Sequence, residues 1–170
     1  YDSIIPAQYA RLMQLIKENG DLLFNRIGPL YYDGYHALDS ALLDLLGVRY
    51  ILTTVEITNP NYELVYNEEI RVYENSDALP RAFMVSEAIT ATDDLELSLR
   101  SLNPRREVIL DGETNRQGRT LTPADAHPPP AEPYVEISRY APNEIRLSVG
   151  VTEAGWLLLA DSYFPGWRAY

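Results

Sequence analysis

The sequence predicts an α+β fold, mainly an antiparallel β sheet or sandwich with two to three helices covering one face or one end of it. Segments with helical periodicity come first along the chain, and segments with strand periodicity follow with one further helix among them. Short turn sequences separate most of the strand segments. The regular alternation of strands with helices that is typical of parallel sheets does not occur in the sequence.

Two N-terminal helices are predicted from the spacing of their apolar residues. The first follows Pro6 and stops at Asn19-Gly20, because proline suits a first helical turn and glycine suits a left-handed stop. Its apolar face consists of Tyr9, Leu12, Met13 and Ile16. The second helix ends at Gly47. Its predicted inner face consists of Leu38, Leu42, Leu45 and Leu46.

One later leucine-rich segment fits two patterns. Its leucines alternate as in a strand, but Leu95, Leu99 and Leu102 also share one helical face. Asp93 and Asp94 precede this face, and carboxylates are favoured at helix N-termini. We predict a third helix here and assign this acidic pair a structural role.

The predicted strands are short and β-rich. In chain order they are 48–53, 62–66, 70–73, 81–85, 108–110, 134–140, 144–151 and 156–161. The second and third strands form a hairpin, and the last three form an antiparallel meander. Trp167 is expected to open one more strand.

A length of 170 residues predicts a single domain, 1–170. Residues 113–133 are polar and rich in proline, which predicts a flexible loop. The chain begins at Tyr1 without a methionine and stops in an aromatic, strand-like run. We therefore expect it to be a piece of a larger protein.

Composition removes several classes of function. A net charge of −11 and a pI near 4.5 disfavour nucleic acid as a partner. The absence of cysteine from the sequence removes disulfides, thiolate metal sites and cysteine nucleophiles. His36 and His127 are too far apart to suggest a shared metal site. We therefore predict no metal and no cofactor, although paired carboxylates of a glycosidase stay conceivable among 25 acidic residues.

Aromatic content is the most suggestive chemical feature. The chain has 13 tyrosines and two tryptophans, whose rings stack on the apolar faces of sugars while their polar edges form hydrogen bonds. Most of these tyrosines are expected to pack on strands. The candidates for contact with a glycan lie in turn-rich segments or beside Pro165-Gly166: Tyr31, Tyr32, Tyr35, Asp161, Tyr163 and Trp167.

Three segments, taken with the opening Tyr1 to Pro6, resemble a known family. They are Leu46-Gly47-Val48-Arg49-Tyr50-Ile51-Leu52-Thr53, then Val72-Tyr73-Glu74-Asn75 through Ala78-Leu79-Pro80-Arg81-Ala82-Phe83, and finally Asp161-Ser162-Tyr163-Phe164-Pro165-Gly166-Trp167-Arg168-Ala169-Tyr170. Their order and spacing resemble the soluble extracytoplasmic region of the YfhO family of bacterial polytopic membrane proteins. The resemblance covers nearly the whole chain except the polar segment 113–133.

The resemblance implies a parent protein in the bacterial cell membrane, with this domain on the extracytoplasmic side. The parent would transfer a sugar from a polyprenyl-phosphate donor to a cell-envelope acceptor. In such enzymes the catalytic carboxylate lies in an outward loop near the first membrane helix, a region outside this chain. The domain is thus expected to be inactive alone, to bind a glycan or acceptor or to support the membrane-embedded part of the same polypeptide.

Two alternatives stay open at the level of sequence. The chain could be a free-standing secreted carbohydrate-binding β-sandwich module, or a fragment of a glycosidase. The first alternative requires glycan affinity in the isolated chain, and the second requires two carboxylates facing each other in a cleft.

Overall fold

The structure is a computed structural model that describes residues 7–17, 36–90, 95–110, 121–123, 130–161 and 166–170. Its helices are α1 (Ala7–Lys17), a 3₁₀ helix (His36–Asp39), α2 (Ala41–Leu45) and α3 (Leu95–Arg100). Its strands are β1 (Tyr50–Thr53), β2 (Tyr62–Asn67), β3 (Arg71–Asn75), β4 (Ala82–Val85), β5 (Glu87–Thr90), β6 (Glu107–Leu110), β7 (Tyr134–Ala141), β8 (Glu144–Gly150) and β9 (Trp156–Leu159).

The predicted fold class is confirmed: the protein is α+β with mainly β content, and most of its strand pairs are antiparallel. The chain divides into two compact units. Unit 1 comprises Tyr1–Leu79 with Asp161–Tyr170, and unit 2 comprises Pro80–Ala160. The single domain expected from chain length stays a prediction.

Unit 1 contains a three-stranded antiparallel sheet with the strand order β1-β3-β2. The predicted hairpin is confirmed, since β2 pairs with β3 from Tyr62 opposite Asn75 to Asn67 opposite Arg71. The register shifts between Leu64 and Tyr66, which marks a β-bulge on the edge strand. Strand β1 pairs with the other side of β3.

The helices of unit 1 bury a leucine-rich core that their periodicity predicts in part. On α1 the buried side chains are Met13, Leu15 and Ile16, and Ile16 is only 1% exposed. Leu15 was not on the predicted face, and the predicted Tyr9 and Leu12 are half-buried. Helix α1 contacts α2 and the 3₁₀ helix, whose buried residues are Leu38, Leu42 and Leu43. The predicted inner face omitted Leu43 and included Leu45 and Leu46, which are half-buried. This difference arises because α2 has only five residues, too few for one regular helical stripe.

Gly47 ends α2 as predicted. Its φ of 66° lies in the left-handed region that glycine adopts most easily. A Cβ at this position would also lie 3.2 Å from the carbonyl oxygen of Leu79. The sequence Leu46-Gly47-Val48 therefore has a local structural explanation.

One buried asparagine joins the helix end to the sheet. Asn75 is 3% exposed, and its Nδ2 donates hydrogen bonds to Asp44 Oδ1 at 2.8 Å and to the Val48 carbonyl at 3.1 Å. Its Oδ1 accepts a hydrogen bond from the backbone N–H of Asp77 at 3.0 Å. Asn75 thereby connects α2, the start of β1 and the turn after β3 through a single side chain.

Two buried tyrosines use their hydroxyl groups to hold loops against the sheet. The Tyr73 hydroxyl accepts a hydrogen bond from the backbone N–H of Ile57 at 3.0 Å. The Tyr62 hydroxyl donates to the carbonyl of Leu38 at 3.0 Å. Both rings are less than 9% exposed, so they pack as core residues, as the sequence predicts for most tyrosines on strands.

Tyr62 makes the stability of the protein sensitive to alkaline pH. Burial, followed by the nearby carboxylates of Asp44, Asp39 and Asp77, raises the pKa of Tyr62 to about 12 from its ordinary value of 10.0. The neutral phenol is favoured in the folded state, so this contribution to stability is complete below pH 10 and is lost as the pH rises through 12. We expect the free energy of unfolding to fall by roughly 2–3 kcal/mol across that interval.

Urea unfolding at a series of pH values measures this effect in the native chain and in Tyr62→Phe. The variant is expected to lose roughly 1 kcal/mol at neutral pH, because the hydrogen bond to Leu38 disappears. It should show a smaller decline than the native chain between pH 10 and 12. Parallel pH profiles of the two proteins would contradict the assignment to Tyr62.

Within its described residues, unit 2 has three strand pairs: β4 with β9, β7 with β8, and β5 with β6. The first two pairs are antiparallel and the third is parallel. The hairpin of β7 and β8 confirms part of the predicted meander, and β5 is a strand that the sequence pattern did not indicate. The helix prediction for the leucine-rich segment is confirmed by α3, and Leu102 is buried beyond its end.

The third strand of the predicted meander pairs with a different partner. Strand β9 lies beside β4, with Ala82 opposite Leu159 and Val85 opposite Trp156. Strand periodicity reports a buried face but not which neighbour shares the hydrogen bonds, and β4 supplies a buried apolar partner. Gly155 permits this approach, since a Cβ there would lie 2.8 Å from the carbonyl oxygen of Val85.

Two further predictions concern the C-terminal end of the chain and the polar loop within unit 2. The strand expected to open at Trp167 is wrong, because residues 166–170 form a turn followed by irregular backbone. Within the loop predicted at 113–133, Leu121 forms an isolated antiparallel bridge with Gly155. Segments 113–120 and 124–129 of that loop lie outside the described residues.

Candidate functional site

The outer surface of the unit 1 sheet is an open face that carries aromatic, apolar and acidic side chains. The paired residues of a sheet point to the same side, and successive residues of a strand alternate between sides. The register therefore places two rows of side chains on this side, and each row crosses the three strands. We call this surface the open sheet face, formed by Tyr50, Glu74 and Glu63 in one row and by Leu52, Val72 and Tyr66 in the other.

Exposure differs between the two sides of this sheet. On the open sheet face Leu52 is 67% exposed, Tyr66 is 53% exposed and Tyr50 is 49% exposed. On the opposite side Tyr73 and Asn75 are each 3% exposed, whereas Leu64 on the edge strand β2 is 44% exposed. The opposite side is therefore buried at the central strand β3, and the open sheet face presents large apolar side chains to solvent.

Arg49 organises the Tyr50 end of the open sheet face. Its Nε and Nη2 both lie 2.9 Å from Glu74 Oε1, so the guanidinium pairs with this carboxylate. Its Cζ lies 5.7 Å from the centroid of the Tyr50 ring, within the range of a cation–π contact. The hydrogen bond that Arg49 donates to Glu74, followed by the nearby Tyr50, raises the pKa of the Arg49 guanidinium, which stays charged.

Glu63 has a different environment from Glu74. The register places the two glutamates directly opposite each other on β2 and β3. Glu63 is exposed, and within the described part of the chain it has no ion pair or side-chain hydrogen bond. Its carboxylate oxygens are therefore available to accept hydrogen bonds from a ligand.

Tyr50 and Tyr66 lie on the two outer strands of the sheet, two strand spacings apart. They belong to adjacent rows of the open sheet face, which are two residues apart along β3. Their Cα atoms are therefore roughly 12 Å apart. Exposed rings at this separation, with carboxylates between them, combine apolar stacking with hydrogen-bond acceptors. This combination suits a polyhydroxylated ligand of several sugar rings, which offers apolar ring faces and hydroxyl donors.

The glycan-contact residues predicted from the sequence are described only in part. Asp161 is exposed, and Trp167 is 38% exposed; both belong to unit 1. Tyr31, Tyr32, Tyr35 and Tyr163 lie outside the described residues. The proposed contact of Asp161, Tyr163 and Trp167 with a glycan thus stays a prediction.

The residues of the open sheet face are not among those predicted from the sequence to contact a glycan. Tyr50 and Tyr66 lie on strands and were included among the packing tyrosines. One signal in the sequence could have separated them: Tyr50, Ile51 and Leu52 are consecutive large apolar residues, so β1 presents apolar side chains on both sides of its sheet. Glu63 opposite Glu74 becomes visible only once the register is known.

The part of the chain that the structure describes contains neither a metal-binding cluster nor a membrane-spanning helix. Among the residues with described positions, no group of three or more histidine, cysteine, aspartate or glutamate side chains could hold a metal ion. None of the described helices is long and apolar enough to cross a membrane.

No family model, no curated protein and no solved structure matches the chain.

Proposed function

We propose that this chain is the non-catalytic extracytoplasmic domain of a YfhO-like membrane glycosyltransferase, and that it binds the cell-envelope glycan or acceptor. The resemblance of the three sequence segments supports the assignment to such a parent protein. The open sheet face supports the binding role, because its exposed Tyr50 and Tyr66 rings lie on a rigid sheet. That face is the observation on which the proposed role chiefly depends.

Sugar stacking on Tyr66 can be measured directly in the 170-residue chain. We expect calorimetric titration with N-acetylglucosamine oligomers to give weak binding, and Tyr66→Ala to weaken it by roughly two- to tenfold through loss of ring stacking. Tyr140→Ala is the matched control, because Tyr140 is a similarly exposed tyrosine (56%) on β7 of unit 2. Equal losses in the two variants would contradict a binding role for the open sheet face.

The membrane assignment is tested separately by the complete reading frame from which these residues derive. A hydropathy profile with a window of about 19 residues should show several apolar spans before Tyr1. A signal peptide alone upstream of Tyr1 would contradict the membrane parent and favour the secreted carbohydrate-binding module.

A further inference from the structure

Glu63 and Glu74 lie opposite each other on the open sheet face, and of the two only Glu74 has an ion-pair partner among the described residues. Like charges directly opposite each other on adjacent strands destabilise a sheet. Arg49 compensates Glu74 with two contacts at 2.9 Å, whereas Glu63 has no ion pair among the described residues. Glu63 is thus the uncompensated member of the pair, and a position that breaks a local rule is expected to be functional or strained.

Glu63 lies beside an aromatic ring that is also available to a ligand. Tyr66 lies three residues further along the same strand, beyond the β-bulge, and in the next row of the same side, at a Cα separation of at most roughly 10 Å. Within the described part of the chain, Arg49 lies over the Tyr50 ring, but no cation lies over the Tyr66 ring. A carboxylate beside an open aromatic face is the arrangement that attracts an ammonium group.

The net charge of the protein disfavours some classes of ligand for this face. A net charge of −11 opposes phosphate-bearing polymers and anionic lipid surfaces. A glycan with amino groups has apolar ring faces for Tyr66 and a positive charge for Glu63.

We infer that the open sheet face selects amine-bearing glycans over neutral ones, with Glu63 and Tyr66 holding the ammonium group and Tyr50 and Leu52 contacting a neighbouring sugar ring. This inference rests on the proposed glycan-binding function and adds the class of sugar. It assigns Glu63 a direct contact with the ligand, while Arg49 and Glu74 position the Tyr50 end of the face.

Two probes with the same backbone test the selection: glucosamine oligomers and their N-acetylated counterparts of equal length. Both are titrated into the 170-residue chain by calorimetry in the same buffer at about pH 6. We expect the glucosamine oligomers to bind roughly three- to tenfold more tightly, and added salt to reduce this preference. Glu63→Gln should abolish the preference, so that the variant binds the two probes with affinities within about twofold of each other.

Glu136→Gln is the matched control, because it changes the net charge equally at an exposed position on β7 of unit 2. The inference is supported if this variant keeps the preference that Glu63→Gln loses. Equal loss in both variants would overturn it, because the preference would then come from net charge alone. Equal binding of the two probes by the native chain would overturn the inference and leave the proposed function standing, whereas binding of neither probe would overturn both.

Discussion

Replacing Ile16 by alanine should lower the free energy of unfolding by about 2–5 kcal/mol. Ile16 is 1% exposed on the inner side of α1, which packs against α2 and the 3₁₀ helix. The substitution removes buried methyl and methylene groups and leaves a cavity that its neighbours fill only in part. Equilibrium urea unfolding, followed by circular dichroism, measures the loss.

Gln14 provides the control for this prediction because it is exposed on the same helix. Gln14→Ala changes helix propensity only slightly, so its effect should lie within about 0.5 kcal/mol. A loss below about 1 kcal/mol for Ile16→Ala would contradict the packing of α1 into the core of unit 1.

Asn75→Ala should cost about 2–4 kcal/mol of stability. The substitution removes two donated hydrogen bonds, to Asp44 and to the Val48 carbonyl, and one accepted from Asp77. These partners are then left in a partly buried setting without their amide partner, which costs more than the hydrogen bonds contribute in net terms. Urea unfolding of the variant measures the effect.

The control is Asn67→Ala, because Asn67 is an exposed asparagine on β2 of the same sheet. Its loss should stay within about 0.5 kcal/mol. A double-mutant cycle of Asp44→Ala with Asn75→Ala should in addition give a coupling free energy of roughly 0.5–3 kcal/mol. Additive losses would show that the two side chains do not act together.

Much of the local structure of unit 1 could be predicted from the sequence because it depends on neighbouring residues. Helix α1 follows from its apolar spacing, the end of α2 from the left-handed preference of Gly47, and the hairpin of β2 and β3 from two alternating runs. Each of these features is fixed by contacts between residues close together in the chain.

Pairing between distant strands could not be predicted in the same way. The apolar pattern of β9 fits either β8 or β4 as a neighbour. The close approach of Gly155 to Val85 accompanies the pairing with β4, and this contact is not apparent from the sequence. The open sheet face could not be predicted for the same reason, because only the register of β2 against β3 places Glu63 opposite Glu74. A tyrosine on a strand looks the same in sequence whichever side of the sheet it occupies.

The central claim is that the open sheet face contacts the glycan, and amide chemical-shift mapping tests it most directly. A ¹⁵N-labelled 170-residue chain is titrated with glucosamine oligomers, and the shifted amides are assigned to residues. The claim predicts that the largest shifts cluster on the two rows formed by Tyr50, Glu74, Glu63, Leu52, Val72 and Tyr66. Shifts centred instead on Asp161 and Trp167, or on the strands of unit 2, would contradict it.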